Sequence, residues 1–204
     1  ILWLSAYGGS SPLSCIKFMI TKQEAIEIMK KYCTRETLVK HSIAVAAVMR
    51  GLASFFRADA DKWEICGLLH DIDYSETENT PVRHGMVAAE LLKDVDVPDD
   101  VVYAIKAHAY SVNGQAPLKN KIDFAIDSAD AVSGLVIATA LVYPDKKLAS
   151  VKLKSISKRF KDKGFARNCD RERILSCEQV GISKEKLFEL AMESLKTVSD
   201  ELGV

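Results

Sequence analysis

Apolar residues recur along this chain at intervals of three and four, segment after segment, with polar residues between them. That is the period of helices that each bury one face. Thr21 and Glu24 read as a capping box opening the first helix, and Ala25, Ile26, Ile28 and Met29 follow at helical spacing. A second helix is expected over 36–56, with Leu38, His41, Val45 and Val48 on one stripe. Asp61 and Glu64 read as the cap of a third, which carries Trp63, Ile65, Leu68 and Leu69. Polar residues 73–81 read as a loop, and 82–93 as a fourth helix. Pro98 opens a fifth, its first turn marked by Asp99 and Asp100, which suit the positive end of the helix dipole. This helix reaches His108 and is followed by a loop over 111–114. A sixth covers 119–142 and stops before Pro144. Further helices are expected over 150–161, after Asp170, and after Ser183, the last carrying Leu187, Leu190, Ala191 and Leu195. Strand-like alternation never exceeds four residues, so the fold class is all-α.

The organisation that follows is a helical domain over 19–145 with a helical C-terminal extension over 146–204 packed on it. Residues 1–18 stand apart: an apolar start runs into the Gly/Ser-rich stretch 8–11, just ahead of Met19. They read as a loosely packed leader, either a vector-derived scar or a misassigned start, with a docking segment as the functional alternative. The lack of a basic region before the apolar stretch argues against a signal peptide.

Charge and cysteines narrow the setting. Lys plus Arg number 28 and Asp plus Glu 28, so no global field favours nucleic acid or a membrane surface. The longest apolar run, 131–143, is shorter than the roughly 20 residues a bilayer needs. Cys15, Cys33, Cys66, Cys169 and Cys177 are widely spaced and form no CxxC, which reads as reduced thiols and a cytoplasmic location.

The chemistry concentrates in four histidines, all between 41 and 108. His41 shares a face with Leu38, Val45 and Val48; His70 with Trp63 and Cys66; His84 with Val87, Ala88 and Leu91; His108 with Ala104 and Ile105. Asp130 falls on the stripe of Ile126, Gly134 and Ile137, and Asp71 directly follows His70. A carboxylate aimed inward needs a cationic partner. No Lys or Arg shares these stripes, so imidazole and carboxylate together point to bound metal. Any one of these residues alone reads as an ordinary core or surface side chain; the argument rests on the set.

The order His41, then His70-Asp71 in LLHDIDY, then His84, His108 and Asp130 in DSADAVSGL resembles the HD-domain superfamily. More narrowly, the chain resembles short HDIG-type metal-dependent phosphohydrolases of bacteria and archaea. The stretches LVKHSIAVAAVMRGLA, HGMVAAELL, AIKAHAYSVNG and ASVKLKSISKRFKDKGFA carry the resemblance over about 20–195. It implies that His41, His70, Asp71 and Asp130 hold one metal, that Asp71 bridges, and that His84 and His108 hold a second. The two divalent transition metals are Fe or Mn by preference, with Ni, Zn or Mg as options. The chain reads His70-Asp71-Ile72-Asp73, so HDIG is only partly met. It also lacks the paired fifth-position histidines and the GYP signature of cyclic-dinucleotide phosphodiesterases of the superfamily.

The reaction expected from this resemblance is hydrolysis of a nucleotide or other small phosphate ester by a hydroxide bridging the two metals, with His70 and Asp71 central to that site. Asp73 and Asp127 are candidates for orienting the ligands, Asp73 also being a candidate cap for its loop. Residues 145–173 carry eleven Lys or Arg against four acids, so Lys152 and Lys154, with Arg83 and Lys106, are candidates to grip the phosphate. The competing readings are a di-iron HD-type oxygenase cleaving a C–C or C–P bond and a non-catalytic nucleotide-binding module. Within the first reading, the chain also resembles HD hydrolases of dinucleoside polyphosphates.

Overall fold

The structure is a computed structural model that describes residues 19–204. The expected leader 1–18, with Cys15, lies outside the described residues.

All regular structure among the described residues is helical. In chain order the helices are α1 Lys22–Tyr32, α2 Glu36–Phe56, α3 Ala60–Leu69, α4 Tyr74–Thr77, α5 Met86–Leu91 and α6 Asp99–Ala107. They continue as α7 Tyr110–Asn113, α8 Lys121–Leu141, α9 Leu153–Lys161, α10 Arg171–Leu175, α11 Lys184–Lys196 and α12 Ser199–Leu202. Three 3₁₀ turns, Pro81–Arg83, Leu148–Ser150 and Ser176–Val180, lie between them.

Local chemistry explains most boundaries. Thr21 and Glu24 form a complete capping box on α1, and Ser183 caps α11 by accepting from the Lys186 N–H. The start of α3 departs from the expectation. Its cap is Asp59, which is extended and accepts from the Lys62 N–H at 3.0 Å, so Asp61 lies inside the first turn. Glu64 is buried, held by Lys22 Nζ and Arg50 Nη1, each at 2.7 Å.

The region expected as one helix over 82–93 is broken. Pro81–Arg83 form a 3₁₀ turn, His84 is extended (ψ 138°), and Gly85 takes a φ of 76° before α5 begins at Met86. A Cβ at Gly85 would sit 2.9 Å from the Ile105 carbonyl oxygen, so this tight junction requires glycine. The expected loop 73–81 contains a single helical turn, α4, and the expected loop 111–114 overlaps another, α7.

The core is a layered helical bundle around α8. Helix α8 packs on α2, α6, α10 and α11, while α2 and α3 make the most extensive pairing. That pairing depends on Gly67, whose Cβ would fall 2.5 Å from the Ala46 Cα. Met49, Leu52, Leu69, Ile105, Ile126, Leu135 and Phe188 are fully buried, each contributing about 1.5–3 kcal/mol by leaving water. Helices α2 and α8 are long and apolar enough to cross a bilayer by length and composition, which the run 131–143 did not suggest. Within this fold both are central packing helices, and together they carry His41 and Asp130.

Candidate metal centre

Five segments deliver six side chains to one place. His41 comes from α2 and Asp130 from the middle of α8. His70 and His108 are the C-terminal cap residues of α3 and α6, and Asp71 follows His70. His84 comes from the extended junction before α5. Its helix-face rationale therefore fails, although the residue still reaches the centre.

Asp71 is the hub. Its Oδ2 faces His41 Nε2 at 3.6 Å and His70 Nε2 at 3.5 Å. Its Oδ1 faces His84 Nε2 at 3.3 Å and His108 Nε2 at 3.4 Å. Asp130 Oδ1 joins the first half, 3.0 Å from His41 Nε2. Two ligands each about 2.1 Å from one ion lie about 3–3.5 Å from each other, so these separations suit atoms sharing a cation.

The imidazoles are oriented from behind. His70 Nδ1 lies 2.8 Å from the Gly67 carbonyl, and His108 Nδ1 contacts the Ile105 carbonyl. His84 Nδ1 lies 2.9 Å from Asp73 Oδ1. Carbonyls and carboxylates only accept, so each Nδ1 is the donor, and in the neutral ring each Nε2 is the nitrogen left to ligate a cation. His70 Nε2 is buried with no hydrogen-bond partner. His84 and His108 present Nε2 to Nε2 at 3.1 Å, an arrangement two lone pairs tolerate only with a cation or a proton between them. Three overlapping ligand groups result: His41 with His70 and Asp71; His70 with His108 and Asp130; Asp71 with His84 and His108. Divalent transition metals fit this nitrogen and oxygen donor set.

Ionisation follows the same geometry. Burial pushes His70 down to about 4 and keeps it neutral. Burial also disfavours charge on His84, but hydrogen bonds to Asp71 and Asp73 outweigh it and raise the group to about 10. His41 is likewise raised, Asp130 and Asp71 overcoming its burial. Burial opposes ionisation of Asp71 and Asp130. The imidazoles around Asp71, and Arg173 with His41 beside Asp130, nevertheless hold both carboxyls well below the usual range.

Asp73 does more than close a loop. Its Oδ1 orients His84, and its Oδ2 accepts the N–H groups of Gly85 at 2.8 Å and Ala88 at 3.0 Å, fixing the start of α5. Asp127 acts through a residue the sequence reading missed. Arg173, at the end nearest the C-terminus of α10's first turn, reaches Asp127 Oδ1 with Nε and Asp130 Oδ2 with Nη2, both at 2.7 Å. Nη2 also donates to the His108 carbonyl at 3.1 Å. No Lys or Arg lies on the Asp130 stripe itself, but Arg173 reaches it from α10, so the inference that only metal could supply its counter-charge is corrected. Arg173 is 46 residues from Asp127 along the chain, so no local spacing links them. Burial raises the Asp127 carboxyl even with this partner.

The candidate phosphate-gripping residues fall elsewhere. A cavity of about 540 Å³ opens beside His41 and Asp130, lined also by Ala131, Gly134, Arg173 and residues 166–170. Arg83, Lys106, Lys152 and Lys154 do not line it. Arg83 is exposed and faces Glu76 at 3.5 Å, and Lys152 is the cap residue of α9.

Residues 38–135, which hold all six converging side chains, match the family model of the HD domain. Over those residues the chain is similar to an HD domain. This domain defines a superfamily of metal-dependent phosphohydrolases. Ribonuclease Y of Desulfotalea psychrophila is 31% identical over 99 residues, covering 48% of this chain and 18% of that protein. Ribonuclease Y of Thermoanaerobacter pseudethanolicus is 29% identical over 169 residues, covering 82% of this chain and 33% of that protein. Ribonuclease Y of Rhodopirellula baltica is 25% identical over 170 residues, covering 82% and 32%. The chain thus spans at most about a third of the length of these relatives. No solved structure matches it.

Proposed function

We propose that this chain hydrolyses a phosphodiester of RNA or of an RNA fragment at a centre of two divalent transition metals, iron or manganese. The observation that carries the hydrolytic reading is the division of Asp71. One carboxylate oxygen faces His41 and His70, the other His84 and His108, a division that supports two cation positions with Asp71 between them. The RNA substrate is supported by the name Ribonuclease Y carried by relatives that align with most of this chain.

Bound ions at such a centre supply two things, a water made acidic enough to attack near neutral pH and charge neutralisation on the phosphate oxygens. The chain's own residues do the rest. Asp73 and the Gly67 and Ile105 carbonyls hold the imidazoles in the ligating tautomer. Arg173 keeps one Asp130 oxygen occupied, so the other is directed at His41. A small nucleotide remains the second reading, because the cavity beside His41 is of the size that small-molecule sites have.

The test uses the full chain loaded with Mn²⁺ under argon. Bis(p-nitrophenyl) phosphate and a short RNA oligomer are turned over by the wild type, and Asp71→Ala abolishes both activities. Turnover of nucleoside phosphates alone, with RNA untouched, selects the second reading. Activity that demands iron and consumes O₂ overturns the hydrolase.

A further inference from the structure

Beyond the ligand cluster, the wall of the cavity is a loop held with unusual firmness. Arg171 turns back on the residues preceding it, and its guanidinium donates to the carbonyls of Asp162, Phe165, Ala166 and Cys169. One cation thus satisfies four carbonyls of a segment that has no regular structure. The Cys169 thiol adds a tie to α8, donating to the Ala131 carbonyl at 3.0 Å. Ala166 adopts a φ of 44°, a conformation that a residue with a Cβ keeps only where its surroundings impose it.

The two acids on this cavity are already engaged. Asp130 faces His41 and Arg173. Asp170 accepts the N–H groups of Glu172 and Arg173 at the start of α10. Arg167 and Asn168 differ: both are exposed, both line the cavity, and neither has a hydrogen bond or ion pair among the described residues. A guanidinium and a carboxamide are therefore presented, uncommitted, by a braced loop beside the metal centre. Guanidinium donors match phosphate oxygens in planar, paired geometry, and a braced backbone lowers the entropy lost on binding.

We propose that Arg167 and Asn168 form a phosphate subsite that takes a second phosphate group of the substrate, distinct from the one hydrolysed. The subsite rests on the phosphohydrolase reading above and makes it specific: the substrate class carries at least two phosphates. Those two can come from neighbouring positions of an RNA strand or from one nucleoside polyphosphate. Arg171 is a positioning residue for this subsite.

Calorimetric titration of the full chain with AMP, ADP and adenosine 3′,5′-bisphosphate tests it without turnover. In the wild type a second phosphate tightens binding about tenfold or more relative to AMP, as one charge-assisted contact supplies. A gain with the 3′,5′-bisphosphate identifies the strand as the source; a gain with ADP identifies the polyphosphate. Arg167→Ala erases the gain and leaves AMP binding and the melting temperature unchanged, and Arg167→Lys restores part of it. Equal binding of all three nucleotides to the wild type, or an undiminished gain in Arg167→Ala, overturns the subsite. Failure of the hydrolase is read separately, as absence of bis(p-nitrophenyl) phosphate turnover by Mn²⁺-loaded wild type while the binding pattern persists.

Discussion

At the scale of single residues, Asp71 occupies a position no neighbour can share. Each of its oxygens faces a different pair of imidazoles, so replacing it removes a donor from both halves at once. Plasma mass spectrometry of purified variants is expected to give about two transition-metal ions per wild-type chain. His84→Ala is expected to retain about one, and Asp71→Ala close to none. Equal losses from both variants would show that the two halves are not separate positions. Asp73→Ala removes the acceptor that orients His84 and is expected to weaken metal affinity roughly 10–100-fold. A chelator-competition titration reads this directly. The sequence exposes these groups unevenly. His41 and Asp130 lie mid-helix, where periodicity assigns a face. His84 belongs to no helix, and only its place in the family pattern singles it out. Arg173 carries no local mark, because its partners come from α8 and the end of α6.

At the scale of elements, two glycines set how closely the site's helices approach. Gly67 lets α3 lie directly on the α2 backbone, so that the His41 and His70 ring centroids are 5.2 Å apart. Gly67→Ala must force the pair apart, since the contact atoms belong to the Ala46 backbone and cannot rotate away. The expected cost is about 1–3 kcal/mol in urea unfolding, together with loss of metal. Retention of both would mean that the crossing adjusts without disturbing the ligands. Helices α1 and α11 are readable because a cap and an amphipathic stripe coincide, and α2 and α8 because their apolar pattern runs for 21 residues. The 82–93 segment misleads for a physical reason. Its apolar spacing continues through residues whose backbone is set by distant partners, Asp73 and the Ile105 carbonyl. The period holds inside α5, where Val87 and Ala88 are buried, and fails ahead of it, where Val82 is exposed.

At the scale of the whole molecule, a cation held by the inward-facing imidazoles and carboxylates would bind the native state alone and so stabilise it. Ligand present at about 1,000 times its dissociation constant stabilises the native state by about 4 kcal/mol. Saturating Mn²⁺ is therefore expected to raise the melting temperature by roughly 10 °C over the chelator-treated protein. Asp71→Ala is expected to melt at the same temperature with and without Mn²⁺. A shift of the same size in Asp71→Ala would place the stabilising ion elsewhere. Arg173→Met is expected to cost about 3 kcal/mol in denaturant unfolding, because it strands the buried Asp127 and Asp130 carboxylates. That change also bears on inheritance. The match to the HD-domain model ends at residue 135, yet the counter-charge for two carboxylates inside it arrives from residue 173. A gene rearrangement that copied only the matched segment would transplant every ligand and leave behind the arginine that neutralises them. Residues 38–135 alone are therefore expected to hold Asp127 and Asp130 less firmly than the full chain does, unless a guanidinium is supplied from outside.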